Sequence, residues 1–333
     1  MVVGSGGELS RRVLDFNRPR GYDFRVVLQF PSQSWKEHPM PDITRRDFLA
    51  GASALAGAAL LGRQVFAAEA QPAVKPVRVK SGTDVVTLGK TGIKTSVLGI
   101  GTGSFGGREQ RDLGQQGFVR LAREAFDRGI RYIDTADSYK MHAFVGAALK
   151  ELKRDQLFIQ TKTFSRTADR VKEDIERYRR ELGIETLDTL LIHCMTKSGW
   201  PKDMRPVIDV MLDAKRKGHV RAIGVSCHDF GALVDSVGCE EMEVHLVRIN
   251  PFRSHMEGSP EDVSAQIKRM FDKGRGVIGM KIYGEGAFKT REQRYESLKY
   301  VLGLGTVHCF TIGFSSAAQI DETLELIREA VAA

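Results

Sequence analysis

The chain has 333 residues and a formal net charge of +8 at pH 7, enough length for one large α/β barrel or two small domains. Its 50 lysines and arginines are spread along the sequence without a basic block or interleaved aromatic residues, so the charge does not indicate nucleic-acid binding. The four cysteines include no C-x-x-C pair, which argues against a zinc-ribbon or iron–sulfur site. We expect them to form no structural disulfide.

The first motif along the chain is typical of an export signal. Residues 44–49 read TRRDFL, an apolar run rich in Ala and Gly covers residues 48–62, and residues 68–70 (AEA) offer a small-residue cleavage site. The apolar run is shorter than the roughly 20 residues that span a bilayer. We therefore interpret residues 40–70 as a twin-arginine signal peptide. It predicts the export machinery as a partner, no stable membrane span and a periplasmic or otherwise exported destination; a buried Ala-rich helix or a membrane anchor is the alternative.

Residues 1–39 fit neither a signal nor a domain. Export signals begin near the start of a chain, and Met40 stands just ahead of the arginine motif. We expect residues 1–39 to be a mispredicted extension, disordered or poorly packed, with Met40 as the true start and residues 71–84 as a linker. Since twin-arginine export moves folded proteins, often with a bound cofactor, the signal predicts an enzyme that carries its cofactor out.

From residue 85 onward, short apolar runs alternate with amphipathic segments. Residues 85–95 (VVTLGKTGIKT) predict a two-strand hairpin. Eight apolar runs without period-two alternation then indicate parallel strands buried on both faces. The predicted strands cover residues 97–101, 131–135, 157–162, 189–193, 220–226, 244–250, 277–282 and 309–313. The clearest helical patterns between them cover residues 118–128, 168–182, 207–217, 263–273 and 317–332. Eight such units over residues 85–333 predict a (β/α)8 TIM barrel, an α/β fold.

One motif points to a different α/β fold. Residues 101–106 read GTGSFG and match G-x-G-x-x-G after a strand, the dinucleotide fingerprint of a doubly wound sheet. The acidic residue that such a fold needs could be Asp134. However, residues 107–117 (GREQRDLGQQG) are polar and interrupted by glycine where the first helix would begin, and eight units exceed the usual six strands. The barrel is the favoured prediction.

Four residues capable of proton transfer lie at the ends of successive predicted strands. Asp134, Lys162 and His193 end the second, third and fourth strands, and Tyr139 follows Asp134 on the next loop. In a barrel these strand ends share one mouth. A phenol is a weak acid, with a pKa of about 10, and a nearby ammonium ion lowers that value. The four residues therefore suit protonation of a carbonyl oxygen, with Tyr139 as the acid.

The segments 133–139 (IDTADSY), 161–162 (TK) and 190–193 (LLIH) resemble the aldo-keto reductase family, as do LGKTGIKTSVLGIGTG at 88–103 and IGVS at 223–226. The resemblance implies a barrel whose bottom is closed by the hairpin. It also implies hydride transfer from a reduced nicotinamide. By resemblance, Tyr139 is the acid/base, Lys162 and Asp134 tune it, and His193 orients the substrate.

The resemblance also implies a cofactor site, formed by residues that match the family's positions. These are Gly101, Thr102, Asp134, Ser226, Cys227, Met280, Gly313, Ser315, Ser316 and Gln319. Several positions depart from the better-known members: Cys227 replaces an asparagine, Leu246 a glutamine and Met280 a stacking aromatic residue. Residues 313–319 (GFSSAAQ) lack the basic residues that bind a 2′-phosphate, a role that Lys281 or Arg275 could take. NADP is the expected cofactor, with NAD possible.

The sequence thus predicts an exported NAD(P)H-dependent oxidoreductase that reduces an aldehyde or ketone, or catalyses the reverse reaction. One alternative is a nicotinamide-binding barrel with little turnover, acting as a redox sensor or partner subunit. A class I aldolase using Lys162 as a Schiff-base lysine is another. We expect no metal site, because the first strand ends without the histidine pair of metal-dependent hydrolase barrels. Trp200 and Phe105 are candidate walls of the substrate pocket.

Overall fold

A computed structural model of the protein describes residues 75–333 and two short strands, β1 (Arg11–Val13) and β2 (Val27–Gln29). These two strands pair antiparallel, with Arg11 opposite Gln29. The predicted signal peptide at 40–70 and the remainder of the predicted extension lie outside the described residues. Helices long and apolar enough to cross a membrane do not occur within residues 75–333.

Eight parallel strands form a closed barrel, as the sequence predicts. The barrel strands are β5 (Leu98–Gly101), β6 (Tyr132–Asp134), β7 (Phe158–Thr163), β8 (Leu187–Met195), β9 (Val220–Cys227), β10 (Val244–Arg248), β11 (Gly276–Met280) and β12 (Cys309–Gly313). They follow one another around the ring in chain order, and β12 returns to β5, with Ile312 opposite Ile100. The closed ring excludes the doubly wound sheet. The glycines of residues 101–106 therefore need another explanation.

Ten helices surround the barrel in the described part of the chain. They are α1 (Arg108–Arg111), α2 (Gly114–Asp127), α3 (His142–Leu149), α4 (Ala168–Leu182), α5 (Trp200–Asp203), α6 (Arg205–Arg216), α7 (Phe230–Gly238), α8 (Pro260–Asp272), α9 (Arg291–Gly303) and α10 (Ala317–Ala332). The five helices predicted from amphipathic periodicity are present. The sequence pattern did not predict α3, because its eight residues are almost uniformly apolar and show no amphipathic period. Helix α9 begins at a capping box formed by Thr290 and Gln293.

The predicted hairpin consists of β3 (Val85–Thr87) and β4 (Lys94–Ser96), joined by a short 3₁₀ turn. Its Leu88 and Ile93 side chains are buried inside the barrel, in the same apolar cluster as Tyr132. The turn approaches the start of β11 so closely that a Cβ atom on Gly89, which has φ +54°, would lie 2.5 Å from backbone atoms. The hairpin therefore closes the N-terminal end of the barrel, and the glycine permits this contact.

Residues 75–84, the predicted linker, lie against the barrel. The Val77 amide donates to the Gly305 carbonyl at 2.8 Å, and the Leu98 amide donates to the Gly82 carbonyl at 2.7 Å. A Cβ on Gly82 would be 2.8 Å from Ile327, which shows how tightly this segment packs on α10. The four cysteines are all free thiols.

Stability is expected to fall in mild acid because of His245, a buried histidine on β10. Its side chain is 1% exposed and neither ring nitrogen has a hydrogen-bond partner within the described structure. Burial, reinforced by the charge of Arg275, lowers its pKa to about 3. The unfolded chain takes up this proton below about pH 6.5, so the unfolded state binds more protons as the pH falls. This residue alone should reduce the free energy of unfolding by about 2 kcal/mol between pH 7 and pH 5.

Urea titrations of the wild type and the His245→Leu variant across this pH range measure the effect. The variant should lose distinctly less stability on acidification. His255→Gln, at a side chain that is 50% exposed, is the control and should follow the wild type. Parallel curves for the wild type and His245→Leu would contradict the assignment.

Candidate active site

The barrel brings together the four residues that the sequence places at strand ends. Nζ of Lys162 is 2.7 Å from Oδ1 of Asp134, and the same nitrogen lies 4.8 Å from the ring centroid of Tyr139. The Tyr139 ring stands edge-on to the imidazole of His193, with 5.6 Å between centroids. Lys162 is fully buried, and Asp134 and His193 are nearly so. An ion pair, a phenol and an imidazole thus meet at the C-terminal mouth of the barrel.

A buried polar network inside the barrel holds the ion pair. Gln160 donates to Oδ1 of Asp134 and to the Tyr132 hydroxyl, both at 2.8 Å, and its own oxygen accepts from Thr189. The Lys162 ammonium also donates to the Thr135 carbonyl at 2.9 Å. Sequence analysis missed Gln160, although a glutamine within an apolar strand run is itself a signal, because a buried amide needs hydrogen-bond partners.

Glycines make room for the phenol. A Cβ atom on Gly103 would lie 2.6 Å from Cζ of Tyr139 and 3.0 Å from its hydroxyl oxygen. A Cβ on Gly107, which has φ +85°, would lie 2.5 Å from the Tyr139 carbonyl oxygen. Two glycines of the loop after β5 are therefore required by the tyrosine. The G-x-G-x-x-G pattern over residues 101–106 arises at least in part from this packing.

The loop that carries the phenol is braced from α4. Tyr139 ends a 3₁₀ turn that begins at Asp137. The Arg177 guanidinium donates to Asp137 at 2.9 Å and to Asp174 at 2.6 Å. Asp174 also accepts from Thr163, the residue after Lys162, at 2.6 Å. One arginine therefore ties the tyrosine loop to the end of the strand that bears the lysine.

The pKa of Tyr139 shifts in the opposite direction to the one expected from the sequence. Burial, followed by the charge of Asp134, raises the pKa of Tyr139 above its usual value, so the lowering expected from the nearby ammonium is wrong for this structure. Burial lowers the pKa of Lys162, and Asp134 opposes that shift. The phenol is therefore held in its protonated form, which is the form that can donate a proton.

His193 is electrically neutral at physiological pH. Burial, followed by the positive charge of Lys162, lowers its pKa to about 2. Nδ1 lies 3.5 Å from the Ser138 hydroxyl, and the ring packs against Phe164 with 4.6 Å between centroids. A neutral imidazole held in this way can donate or accept one hydrogen bond at a substrate oxygen.

A cavity of about 450 Å³ opens beside Asp134 and Tyr139, between the loops after β5, β11 and β12. Five of the predicted cofactor residues line it: Gly101, Asp134, Met280, Gly313 and Gln319. The cavity is also lined by Lys281 and Tyr283, which the sequence placed near the cofactor. Sequence analysis missed other polar and aromatic lining residues, which are Thr311, Phe288, Lys289 and Arg294. Three of these four follow β11, in a segment without a motif of its own.

The other predicted cofactor residues lie outside the lining of this cavity. The hydroxyl of Thr102 donates to the Asp134 carbonyl, and that of Ser226 accepts from the Cys194 amide at 2.9 Å. Cys227 is buried, with its thiol 3.4 Å from the Ala232 carbonyl. Near the start of α10, the backbone amide of Ser315 donates to the Gln319 side chain, while Ser316 caps the helix. Leu246 is part of the apolar cluster inside the barrel.

Two further expectations about individual side chains are wrong. Trp200 is 1% exposed, and its indole nitrogen donates to the Ala232 carbonyl, so it packs beneath the surface and forms no pocket wall. Arg275 begins the turn into β11 at the opposite end of the barrel, where it donates to the Glu240 carbonyl. In contrast, Phe105 does line the cavity. Lys281 lines it as well, paired with Glu285 at 2.8 Å.

The cavity presents polar atoms suited to a phosphorylated dinucleotide. The Thr311 hydroxyl is buried and has no hydrogen-bond partner within residues 75–333, and the same is true of Nε of Arg294. Lys289 adds a second cation near the start of α9. Clusters of His, Cys, Asp and Glu that could hold a metal ion do not occur in the part of the chain that the structure describes.

Comparisons with known proteins agree with this geometry. Residues 97–330 match the sequence profile of the aldo/keto reductase family. The aldo-keto reductase YhdN of Bacillus subtilis is 32% identical over 160 residues, 43% of this chain and 46% of that protein. The NADH-specific methylglyoxal reductase of Escherichia coli is 27% identical over 184 residues, 48% of this chain and 56% of that protein. The chain thus spans about half the length of these curated relatives.

The fold is also similar to solved structures. An aldo-keto reductase from Bacillus halodurans in its holo form superposes with a TM-score of 0.60 at 18% identity, and the match covers 75% of this chain and 95% of that one. At this level of identity the likeness concerns the fold alone.

Replacing Gly103 by alanine should displace the phenol. Because the new methyl group would lie 2.6 Å from Cζ of Tyr139, the ring must move. In an assay of the carbonyl reduction proposed below, kcat/KM should fall about 100-fold. Thermal melting would check that the fold is retained. Gly238→Ala is the matched control, since a Cβ there meets no atom within 4 Å; equal activity of both variants would refute the steric role.

Proposed function

This chain belongs to the aldo/keto reductase family, and we propose that it reduces an aldehyde or ketone with a nicotinamide cofactor, using Tyr139 as the proton donor. The observation that carries the proposal is the position of the phenol. It lies between a buried lysine–aspartate pair and a neutral histidine, at the wall of a cavity large enough for the reacting ends of a cofactor and a substrate.

The nicotinamide, when bound, supplies the hydride to the carbonyl carbon. The chain supplies the proton and the geometry. His193 donates a hydrogen bond to the carbonyl oxygen and directs it toward the Tyr139 hydroxyl. As negative charge develops on that oxygen, the phenol transfers its proton, and the ammonium of Lys162 stabilises the phenolate that remains. Asp134 keeps the ammonium oriented through the 2.7 Å contact.

The Lys162 geometry argues against an aldolase. A Schiff-base lysine must present an unprotonated nitrogen to its substrate. Here the nitrogen is fully buried and donates to Asp134 and to the Thr135 carbonyl. Burial lowers its pKa, but Lys162 has no exposed surface and does not line the cavity, so its nitrogen is not presented to a ligand there.

The competing proposal is a barrel that binds nicotinamide with little turnover, as a redox sensor or partner subunit. It is favoured by Ser226 and Cys227, which the family pattern assigns to the carboxamide but which lie outside the cavity lining. Turnover separates the two proposals, because both require cofactor binding.

Tyr139→Phe is the decisive variant. It removes the acidic proton and keeps the ring, so we expect kcat for aldehyde reduction to fall by about 10²- to 10⁴-fold with nearly unchanged cofactor affinity. Steady-state assays with a panel of aldehydes and ketones, together with fluorescence titration of NADPH and NADH, measure both quantities. Full activity in this variant would rule out the proposed mechanism. Cofactor binding without turnover in the wild type would support the sensor.

For the cofactor itself we propose NADP, with NAD as the alternative. Lys289 and Arg294 line the cavity and are the cations placed to receive a 2′-phosphate. In the described part of the chain, Lys289 has no carboxylate partner, whereas Arg294 is already paired with Glu322 at 2.7 Å. The Escherichia coli relative carries the name of an NADH-specific enzyme, so members of the family similar to this chain differ in this preference.

We also propose that the protein leaves the cytoplasm through the twin-arginine pathway, on the strength of residues 44–49 and the apolar run after them. Export of a folded barrel would carry the nicotinamide along. Mass spectrometry of denatured protein, recovered from the exported fraction, should release close to one NADP(H) per chain. Arg45→Lys with Arg46→Lys should hold the protein in the cytoplasm. Exported protein that is empty, and that binds neither nucleotide, would contradict the cofactor proposal.

A further inference from the structure

The loop after β7 places a guanidinium ion beside the residue that orients the substrate. Nη2 of Arg166 donates to the His193 carbonyl at 2.6 Å, and Nη1 donates to the Phe164 carbonyl at 3.0 Å. The guanidinium carbon also lies 5.3 Å from the Phe164 ring centroid. These three contacts hold an exposed arginine in one place, at the rim of the mouth.

No acidic side chain neutralises this arginine within the described residues. Its hydrogen bonds all go to backbone carbonyls, which leave its full positive charge in place. Of the other cations near His193, Lys281 is paired with Glu285 at 2.8 Å. Arg248 lies 3.3 Å from Glu257, a carboxyl group whose pKa burial raises to about 7, and its own side chain is only 18% exposed. Arg166 is therefore the exposed cation next to His193 and can offer its charge to a ligand.

The other charged groups around His193 are also positive. The charged groups that lower its pKa, after burial, are Lys162, His228 when protonated, Arg166 and Arg248. A positive potential at the carbonyl-binding imidazole favours substrates that bring a negative charge. Phe164 adds an apolar wall, because its ring contacts the imidazole at 4.6 Å and is 47% exposed.

We propose that Arg166 binds an anionic group of the substrate, so that the preferred substrates are carbonyl compounds carrying a carboxylate or a phosphate. This inference rests on the proposed carbonyl reduction. The fork of N–H donors pairs with two oxygens of such a group, and Phe164 covers the carbon skeleton between the anion and the carbonyl. The cofactor cavity is lined by the loops after β5, β11 and β12, and neither Arg166 nor Phe164 belongs to its lining, so the two anion sites are separate.

Matched substrate pairs test this directly. 4-Formylbenzoate and its methyl ester differ in a carboxylate, and glyceraldehyde 3-phosphate and glyceraldehyde differ in a phosphate. For the wild type we expect a higher kcat/KM for the charged member of at least one pair, and that pair identifies the anion. Arg166→Gln should reduce the charged-to-neutral ratio of kcat/KM about tenfold, through the KM of the charged member. Any loss that follows from the missing contact with the His193 carbonyl acts on both members of a pair and leaves the ratio unchanged.

Arg170→Gln is the matched control. Arg170 is a 73% exposed arginine on α4 that pairs with Glu173, and its removal changes the net charge by the same amount. The control should keep the wild-type ratio. Equal loss of preference in both variants would mean a general charge effect and would overturn the subsite. A ratio unaffected by Arg166→Gln would overturn it as well. In contrast, absence of turnover with all four compounds would reject the proposed function instead.

Discussion

The fully buried ion pair between Lys162 and Asp134 is the constraint on which the site depends. Removing two charges from water costs several kcal/mol per ion, and a single contact of 2.7 Å rarely repays this cost by itself. Here Gln160 and the Thr135 carbonyl supply further hydrogen bonds, so both ions keep partners in the barrel interior. Loss of either ion would leave the other uncompensated, with a cost of about 3–5 kcal/mol. Such a pair is a poor way to stabilise a barrel, and its chemical use explains why it is there.

The tyrosine depends on a second constraint, which is steric. Gly103 leaves the only space in which the Tyr139 ring can stand against the ammonium, since a methyl group there would overlap it. From the other side, Arg177 joins Asp137 in the tyrosine loop to Asp174 on α4. Arg111 also donates to the Tyr139 carbonyl. The position of the phenol thus depends on the small size of Gly103 and on the ion pairs of Arg177. Neither residue takes part in the proton transfer.

Much of this arrangement follows from the sequence. Runs of buried apolar residues end in Asp134, Lys162 and His193, and parallel strands of a barrel end at one mouth, so periodicity alone predicts that the three meet. The cofactor side is different. Phe288, Lys289 and Arg294 reach the cavity from an irregular loop and the first turn of α9, whose backbone path no periodicity encodes. The directions of the pKa shifts could not be predicted from the sequence pattern either, because they depend on burial as well as on neighbouring charge.

Different charges surround Tyr139 and His193, and in both places the neutral form of the side chain is favoured. Around Tyr139, burial and the Asp134 carboxylate favour the neutral phenol; around His193, burial and surrounding cations favour the neutral imidazole. In the proposed reaction, two uncharged hydrogen-bond donors would therefore face the carbonyl oxygen, with the ammonium of Lys162 4.8 Å from the phenol ring. If His193 were an imidazolium, its positive charge would be buried close to that of Lys162, and the repulsion would add to the cost of burying both ions. A neutral imidazole instead leaves positive charge at the rim, where the Arg166 side chain is exposed and accessible to a ligand.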